Sequence, residues 1–197
     1  MKSLEIHPFA PFLPAGAEFL FLGTFPPKPE KWSMEFFYPN KINDMWRVMG
    51  LIFHGDAGYF WNVAERRFMI EPIKRFLTER HIAMYDTAYK VERLKDNASD
   101  KFLNIVEPVD LIRMLSDNAS IRVVVSTGEK AAGVVASLTA TSVPGVGEYV
   151  AFMAGGRTVR HYRMPSTSRA YPLKLEKKAE FYKNMFCAEG VKLINFC

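Results

Sequence analysis

Three short clusters in this chain hold residue types that could do chemistry. The first, Gly23-Thr24-Phe25-Pro26-Pro27, directly follows the apolar run Phe19-Leu20-Phe21-Leu22. A glycine there, followed by two prolines that fix the loop, shapes a backbone able to approach a ligand closely. The second, Phe36-Phe37-Tyr38-Pro39-Asn40-Lys41-Ile42-Asn43-Asp44-Met45-Trp46, sets flat aromatic surfaces beside side-chain amides that both donate and accept hydrogen bonds. The third is Met164-Pro165-Ser166-Thr167-Ser168-Arg169, small hydroxyls after a conformationally fixed residue. Each also has a plain structural reading. Asn43 suits a helix N-cap, Asn40 a turn after Pro39, Phe37 and Tyr38 a core or rim, and residues 166–168 the capping segment of the following helix.

The elements that must position these clusters alternate along the chain. Residues 19–22 form an apolar run without alternation, as expected of a strand buried on both faces. Residues 81–87, 121–126 and 158–163 give three more strands, with Asp86 at the carboxyl end of the second, where it reads as a turn cap. Helices are predicted from Asn43 to His54, from 63 to 79 with Pro72 as a possible kink, from Pro108 through Leu115, from 127 to 140, and from Pro172 to Cys187. Pro8, Pro11 and Pro14 make an irregular lead-in, and residues 88–103, which show no clear period, read as a long functional loop. Strands alternating with helices predict an α/β fold, a three-layer α/β/α sandwich around a central, mainly parallel four-stranded sheet. In such a sheet the first and third clusters share one edge and line one cleft with the second.

With 197 residues, 49% of them hydrophobic, the chain can bury one substantial core and reads as a single domain over 1–197. No apolar run approaches the ~20 residues that span a bilayer, and the N-terminus lacks a signal-peptide core, which points to a cytoplasmic protein with no membrane partner. Cys187 and Cys197 are the only cysteines, and His54 and His81 show no ligand spacing, so no metal and no disulfide framework are expected. The net charge of +5 is compatible with a polyanionic partner. Its basic residues gather in the C-terminal quarter at Arg157, Arg160, Arg163, Arg169, Lys174, Lys177, Lys178 and Lys183, where either a phosphate backbone or solvent would meet them.

The order and spacing of the clusters resemble the uracil-DNA glycosylase superfamily. The resemblance lies in Gly23 to Pro26 as a Gly-x-x-Pro loop, the aromatic-Pro-Asn segment leading to Asn43-x-x-Trp46, and Pro165-Ser166 after a late strand. Met164 to Ser168 and Phe25 look most like the hypoxanthine-DNA glycosylase branch. The resemblance implies a monofunctional, metal-independent DNA glycosylase of base excision repair that needs no cofactor. Its partner would be DNA containing a deaminated base, uracil or hypoxanthine, and it would act as a monomer. It places the base among Gly23, Thr24, Phe25, Phe37 and Tyr38. The phosphates would lie on Pro165, Ser166, Thr167 and Ser168 at the start of the last helix, and Arg169 would fill the gap left by the flipped base. Many branches carry a water-activating Asp or Asn in the first loop, where this chain has Thr24-Phe25. Catalysis then falls to Asn40 or Asn43, with Asp86 the remaining alternative. A non-catalytic protein of the same fold that binds nucleic acid or a nucleotide stays open; neither a dinucleotide Gly-x-Gly-x-x-Gly pattern nor a P-loop is present.

Overall fold

The computed structural model describes residues 3–93 and 103–193. Five strands form the main sheet: β2 (Phe19–Gly23), β5 (Ile82–Asp86), β8 (Val123–Thr127), β9 (Tyr149–Ala154) and β10 (Arg157–Met164). Their order is β5-β2-β8-β10-β9, and all pairs are parallel except β9 with β10. β2, β5 and β8 are buried at every position, because helices cover both faces.

The helices are α1 (Met45–His54), α2 (Ile70–Glu79), α3 (Leu111–Asp117), α4 (Glu129–Thr139) and α5 (Leu175–Ala188). From β2 the chain crosses to β5 on one side, while β5 to β8 and β8 to β10 cross in the other direction. Right-handed connections therefore put α1 and α2 on one face and α3 and α4 on the other. α5 joins α1, with Phe186 5.0 Å from Phe53 and 5.9 Å from Phe21.

The sheet is thus mixed and five-stranded rather than four-stranded. The added edge strand β9 reaches β10 through Gly155-Gly156, both at positive φ (54° and 74°), the backbone that a two-residue hairpin demands. The predicted helix over 63–79 begins only at Ile70. Before it, β3 (Trp61–Asn62) and β4 (Arg67–Phe68) form a small hairpin, and Pro72 sits in the first turn of α2, where its missing N–H costs nothing. The stretch expected as a functional loop is partly strand. β6 (Ala88–Arg93) pairs with β1 (Ser3–Ile6) on one side and β7 (Leu103–Pro108) on the other, so the lead-in also holds a strand. Residues 94–102 of that loop, and Cys197, lie outside the described residues. Because β7 runs through Pro108, α3 starts later than predicted.

At the amino-terminal end of the sheet Glu189, its side chain buried, accepts from Tyr162 Oη (2.8 Å) and pairs with Arg160 (2.7 Å) and Arg122, anchoring the end of α5. His161 lies wholly inside the sheet layers. Its Nε2 donates to Ser126 Oγ at 2.9 Å, and that hydroxyl donates in turn to Tyr162 O.

Burial holds His161 well below its ordinary pKa of 6.5, at about 4. The unfolded chain takes up this proton near 6.5 and the native one does not until about 4. Stability contributed by the neutral ring is therefore complete above 6.5 and is lost as pH falls toward 4. Urea unfolding across this range should show the loss in the wild type and a flatter profile in His161→Phe; parallel profiles would contradict it.

Candidate active site

The carboxyl ends of β2, β5, β8 and β10 meet at one edge of the sheet, where open parallel sheets bind ligands. Beyond β2 the backbone stays fixed: the N–H groups of Thr87 and Ala88 donate to the carbonyls of Gly23 (2.9 Å) and Thr24 (3.1 Å). Arg93 holds the rest of the loop, donating to Pro26 O at 3.3 Å while making two 2.9 Å bonds to the Glu5 carboxylate. Phe25 stands edge-on to His7 with ring centres 5.3 Å apart and lies 5.9 Å from the Arg93 guanidinium carbon.

Gly23 is where two polar side chains converge. A Cβ at this position would stand 2.4 Å from Asp86 Oδ1 and 3.3 Å from Tyr38 Oη, so only glycine leaves both in place. Asp86 is not a turn cap as its position in the sequence suggests. Its Oδ2 accepts from His7 Nε2 at 2.8 Å, and both side chains are almost wholly out of solvent.

Tyr38 has φ +53°, an uncommon backbone for a bulky residue and one that persists where surrounding structure enforces it. Its hydroxyl donates to Thr127 Oγ1 at 2.8 Å, and Thr127 donates onward to Leu22 O, so Tyr38 spans from the second cluster to the end of β8. Tyr38 is half-buried. Phe37 is buried, walled by Phe36, Phe9, His7 and Tyr85 at 5.0–6.1 Å between ring centres, and its carbonyl accepts from Trp46 Nε1.

Both asparagines use their amide oxygens locally. Asn40 Oδ1 accepts from the Ile42 N–H (3.1 Å) in a turn, and Asn43 Oδ1 accepts from the Met45 N–H (2.9 Å) at the start of α1. Beside them Asp44 joins the second cluster to the third. Its N–H donates to Thr167 O at 2.8 Å, and its carboxylate takes a 2.9 Å bond from Lys178 Nζ of α5, which also donates to Ser168 O at 2.8 Å. Lys178 is 1% exposed and Asp44 6%.

The third cluster does not cap the last helix, which starts at Leu175, well beyond Ser168. Ser166 Oγ and Ser168 Oγ accept instead from the N–H groups of Ser168 and Ala170, and Ser166 passes over Gly128, which precedes α4. The helix N-terminus beside these hydroxyls is therefore that of α4. Thr167 is buried and Pro165 lies under the loop, its carbonyl accepting from Tyr182 Oη. Arg169 is exposed, 4.0 Å from Asp44; burial, and next the Arg169 charge, hold the Arg47 guanidinium below its ordinary pKa.

The basic C-terminal quarter is only in part a surface. Arg157 donates to the carbonyls of Leu115 (2.6 Å) and Asn118 (3.2 Å), Arg160 pairs with Glu189, and Lys178 is internal. Sequence reasoning missed His7, Thr127 and the role of Lys178. For Lys178 a signal existed, since it occupies the apolar stripe Leu175, Lys178, Tyr182, Met185 of α5. His7, isolated in an irregular segment, gave none. Among the described residues no group of three or more His, Cys, Asp or Glu is placed to hold a metal ion, and no helix is long and apolar enough to cross a membrane.

No family model and no curated protein matches the chain. Its fold is similar to the solution NMR structure of a "putative Uracil DNA glycosylase" from Methanosarcina acetivorans, with a TM-score of 0.60 and 18% identity over 93% of this chain and 98% of that one. At this identity the likeness is one of fold.

Replacing one member of the Asp44–Lys178 pair strands the other charge in the interior. Lys178→Met should cost about 3–5 kcal/mol in urea unfolding, and Asp44→Asn combined with Lys178→Met should cost well under that. Additive losses would show that the two charges are not coupled.

Proposed function

We propose that the chain is a DNA glycosylase of base excision repair, a monofunctional and metal-independent hydrolase that cleaves the N-glycosidic bond of a flipped-out uracil or hypoxanthine. One observation carries this reading: the three clusters lie at the carboxyl edge of the sheet, residues 37–44 and 165–169 joined by the Asp44–Thr167 bond, Tyr38 bonded to Thr127 at the end of β8, and Tyr38 and Asp86 converging over Gly23. The fold likeness to a protein described as a "putative Uracil DNA glycosylase" supports the glycosylase part of this reading.

The bond to a base breaks as the sugar becomes oxocarbenium-like and negative charge gathers on the departing ring. In this reading Gly23, Thr24 and Phe25 floor the pocket, and Tyr38, with Phe37 behind it, forms its aromatic wall. Asp86, between His7 and Gly23, offers Oδ1 as an acceptor for a base N–H. Asn40 orients the attacking water with the second lone pair of its amide oxygen, its N–H₂ group, which makes no hydrogen bond among the described residues, meeting the base or water, and Asn43 stands in reserve for the same task. Ser166, Thr167 and Ser168 with the α4 N-terminus hold a flanking phosphate, and Arg169 enters the duplex. The protein acts as a monomer in the cytoplasm without a cofactor.

The engagement of both asparagine oxygens in local two-residue bonds favours a second reading, a protein of this fold that binds nucleic acid without cutting it. Labelled oligonucleotides carrying one uracil, hypoxanthine or xanthine, treated with alkali after incubation, separate the two. The glycosylase reading expects strand breaks that fall ~100-fold or more in Asn40→Ala. Equal cleavage by both proteins transfers the role to Asn43 or Asp86, and salt-sensitive binding without cleavage establishes the second reading.

A further inference from the structure

We propose that His7 is a positioning residue of this cleft. It fixes one oxygen of the Asp86 carboxylate so that the other is presented beside Gly23 to the ring N–H of a deaminated base. The inference rests on the glycosylase reading and adds to it a source of base selectivity.

His7 lies in the segment between β1 and the first prolines, far in sequence from every cluster that suggested chemistry. Its side chain is wholly buried, and its surroundings leave the ring no room to turn. Tyr85, Phe25, Phe9 and Phe37 stand around it with ring centres 4.7, 5.3, 5.9 and 6.1 Å away. Its backbone N–H is tied to Tyr89 O at 2.8 Å, and Nδ1 faces the Phe9 carbonyl at 2.9 Å and the Phe9 N–H at 3.2 Å. That leaves Nε2, 2.8 Å from Asp86 Oδ2, as a donor of fixed direction. An ionised carboxylate only accepts, so the proton in this contact belongs to the histidine.

The consequence falls on Oδ1. With Oδ2 held, the carboxylate cannot spin, and Oδ1 stays at the place where a Gly23 side chain would begin, 2.4 Å from that Cβ position. Among the described residues Oδ1 has no hydrogen-bond partner, and the nearby Tyr38 hydroxyl donates its proton to Thr127. A fixed anionic acceptor sorts bases by one atom. Uracil and hypoxanthine carry an N–H at the ring nitrogen of their pairing edge, whereas cytosine and adenine carry a lone pair there, which a carboxylate repels. Deamination creates the donor that this oxygen accepts. A carboxylate free to rotate would lose the distinction, because it could turn away from the lone pair.

The test uses the full chain and single-turnover release of uracil and of hypoxanthine, with the rate at saturation and the half-saturating enzyme concentration read separately. His7→Leu removes the donor at similar bulk. His7→Gln restores a donor of similar reach, and His7→Asn carries an amide too short to touch Asp86. The saturating rate is expected to fall at least about tenfold in His7→Leu and His7→Asn and to recover to within about threefold in His7→Gln. Half-saturation should change little, and thermal unfolding should report each variant folded. Unchanged rates in a folded Leu or Asn variant, or a folded Gln variant as impaired as these, would overturn the proposal while leaving the glycosylase reading intact. A wild type that cleaves neither base would overturn both. One readout needs no variant: the ¹⁵N resonances of the His7 ring in the wild type should move on adding free uracil or hypoxanthine and stay in place with cytosine or adenine. Equal movement with all four, or none, would contradict the proposal.

Discussion

The buried ion pair between Asp44 and Lys178 is the contact on which the arrangement of loops at the carboxyl edge of the sheet depends. It reaches from the start of α1 to the inner face of α5, and the same ammonium group also holds Ser168 O. Two charges taken out of water cost several kcal/mol each, and their attraction offsets this only when the remaining hydrogen bonds are made. Here the ammonium group makes a second bond to the Ser168 carbonyl, Asp44 Oδ1 faces the Arg169 guanidinium at 4.0 Å, and the Asp44 backbone N–H ties the same loop through Thr167 O. The pair therefore selects one arrangement of two loops distant in sequence, and any other arrangement strands a charge.

The end of β2 obeys a different constraint, close approach. Gly23 lets Asp86 and Tyr38 come together over the end of β2, and Arg93 pins the following prolines to the small β1-β6-β7 sheet. That sheet, an accessory to the main core, thus positions the loop after β2 through Glu5 and Arg93, with His7 directly after β1. Tyr38 closes the frame from the second cluster to β8, in a backbone conformation that a tyrosine adopts only when its surroundings compel it.

What could be read in the sequence followed from how local each feature is. β2, β5 and β8 are continuous apolar runs because both their faces are covered, and α1 shows its helical period because Arg47, Leu51 and His54 form the one stripe left partly open. Asn40 takes the turn role its neighbours suggest, whereas Asn43 stands one position before Asp44, the N-cap of α1, and makes the same kind of two-residue bond there. The hairpin of β9 and β10 was legible too: Gly155-Gly156 between apolar stretches is a turn signal that a search for parallel strands passes over. β3 and β4 are two residues each, too short to show any period. β6 carries Lys90 and Glu92 on one side and owes its strand form to its partners β1 and β7, which no local pattern records. His7 and Lys178 acquire their roles from Asp86 and Asp44, and those pairings exist only once the chain is folded.

The three clusters forming one binding cleft can be tested without reference to any reaction product, by following backbone amide resonances while an oligonucleotide containing a reduced abasic site is added. Shifts concentrated at Gly23 to Phe25, at Tyr38, Asn40 and Asn43, and at Ser166 to Arg169 are the predicted result, with the amides of β9 and of residues around Glu189 unmoved. Shifts gathered at the amino-terminal end of the sheet, or spread evenly over the basic surface, would contradict it.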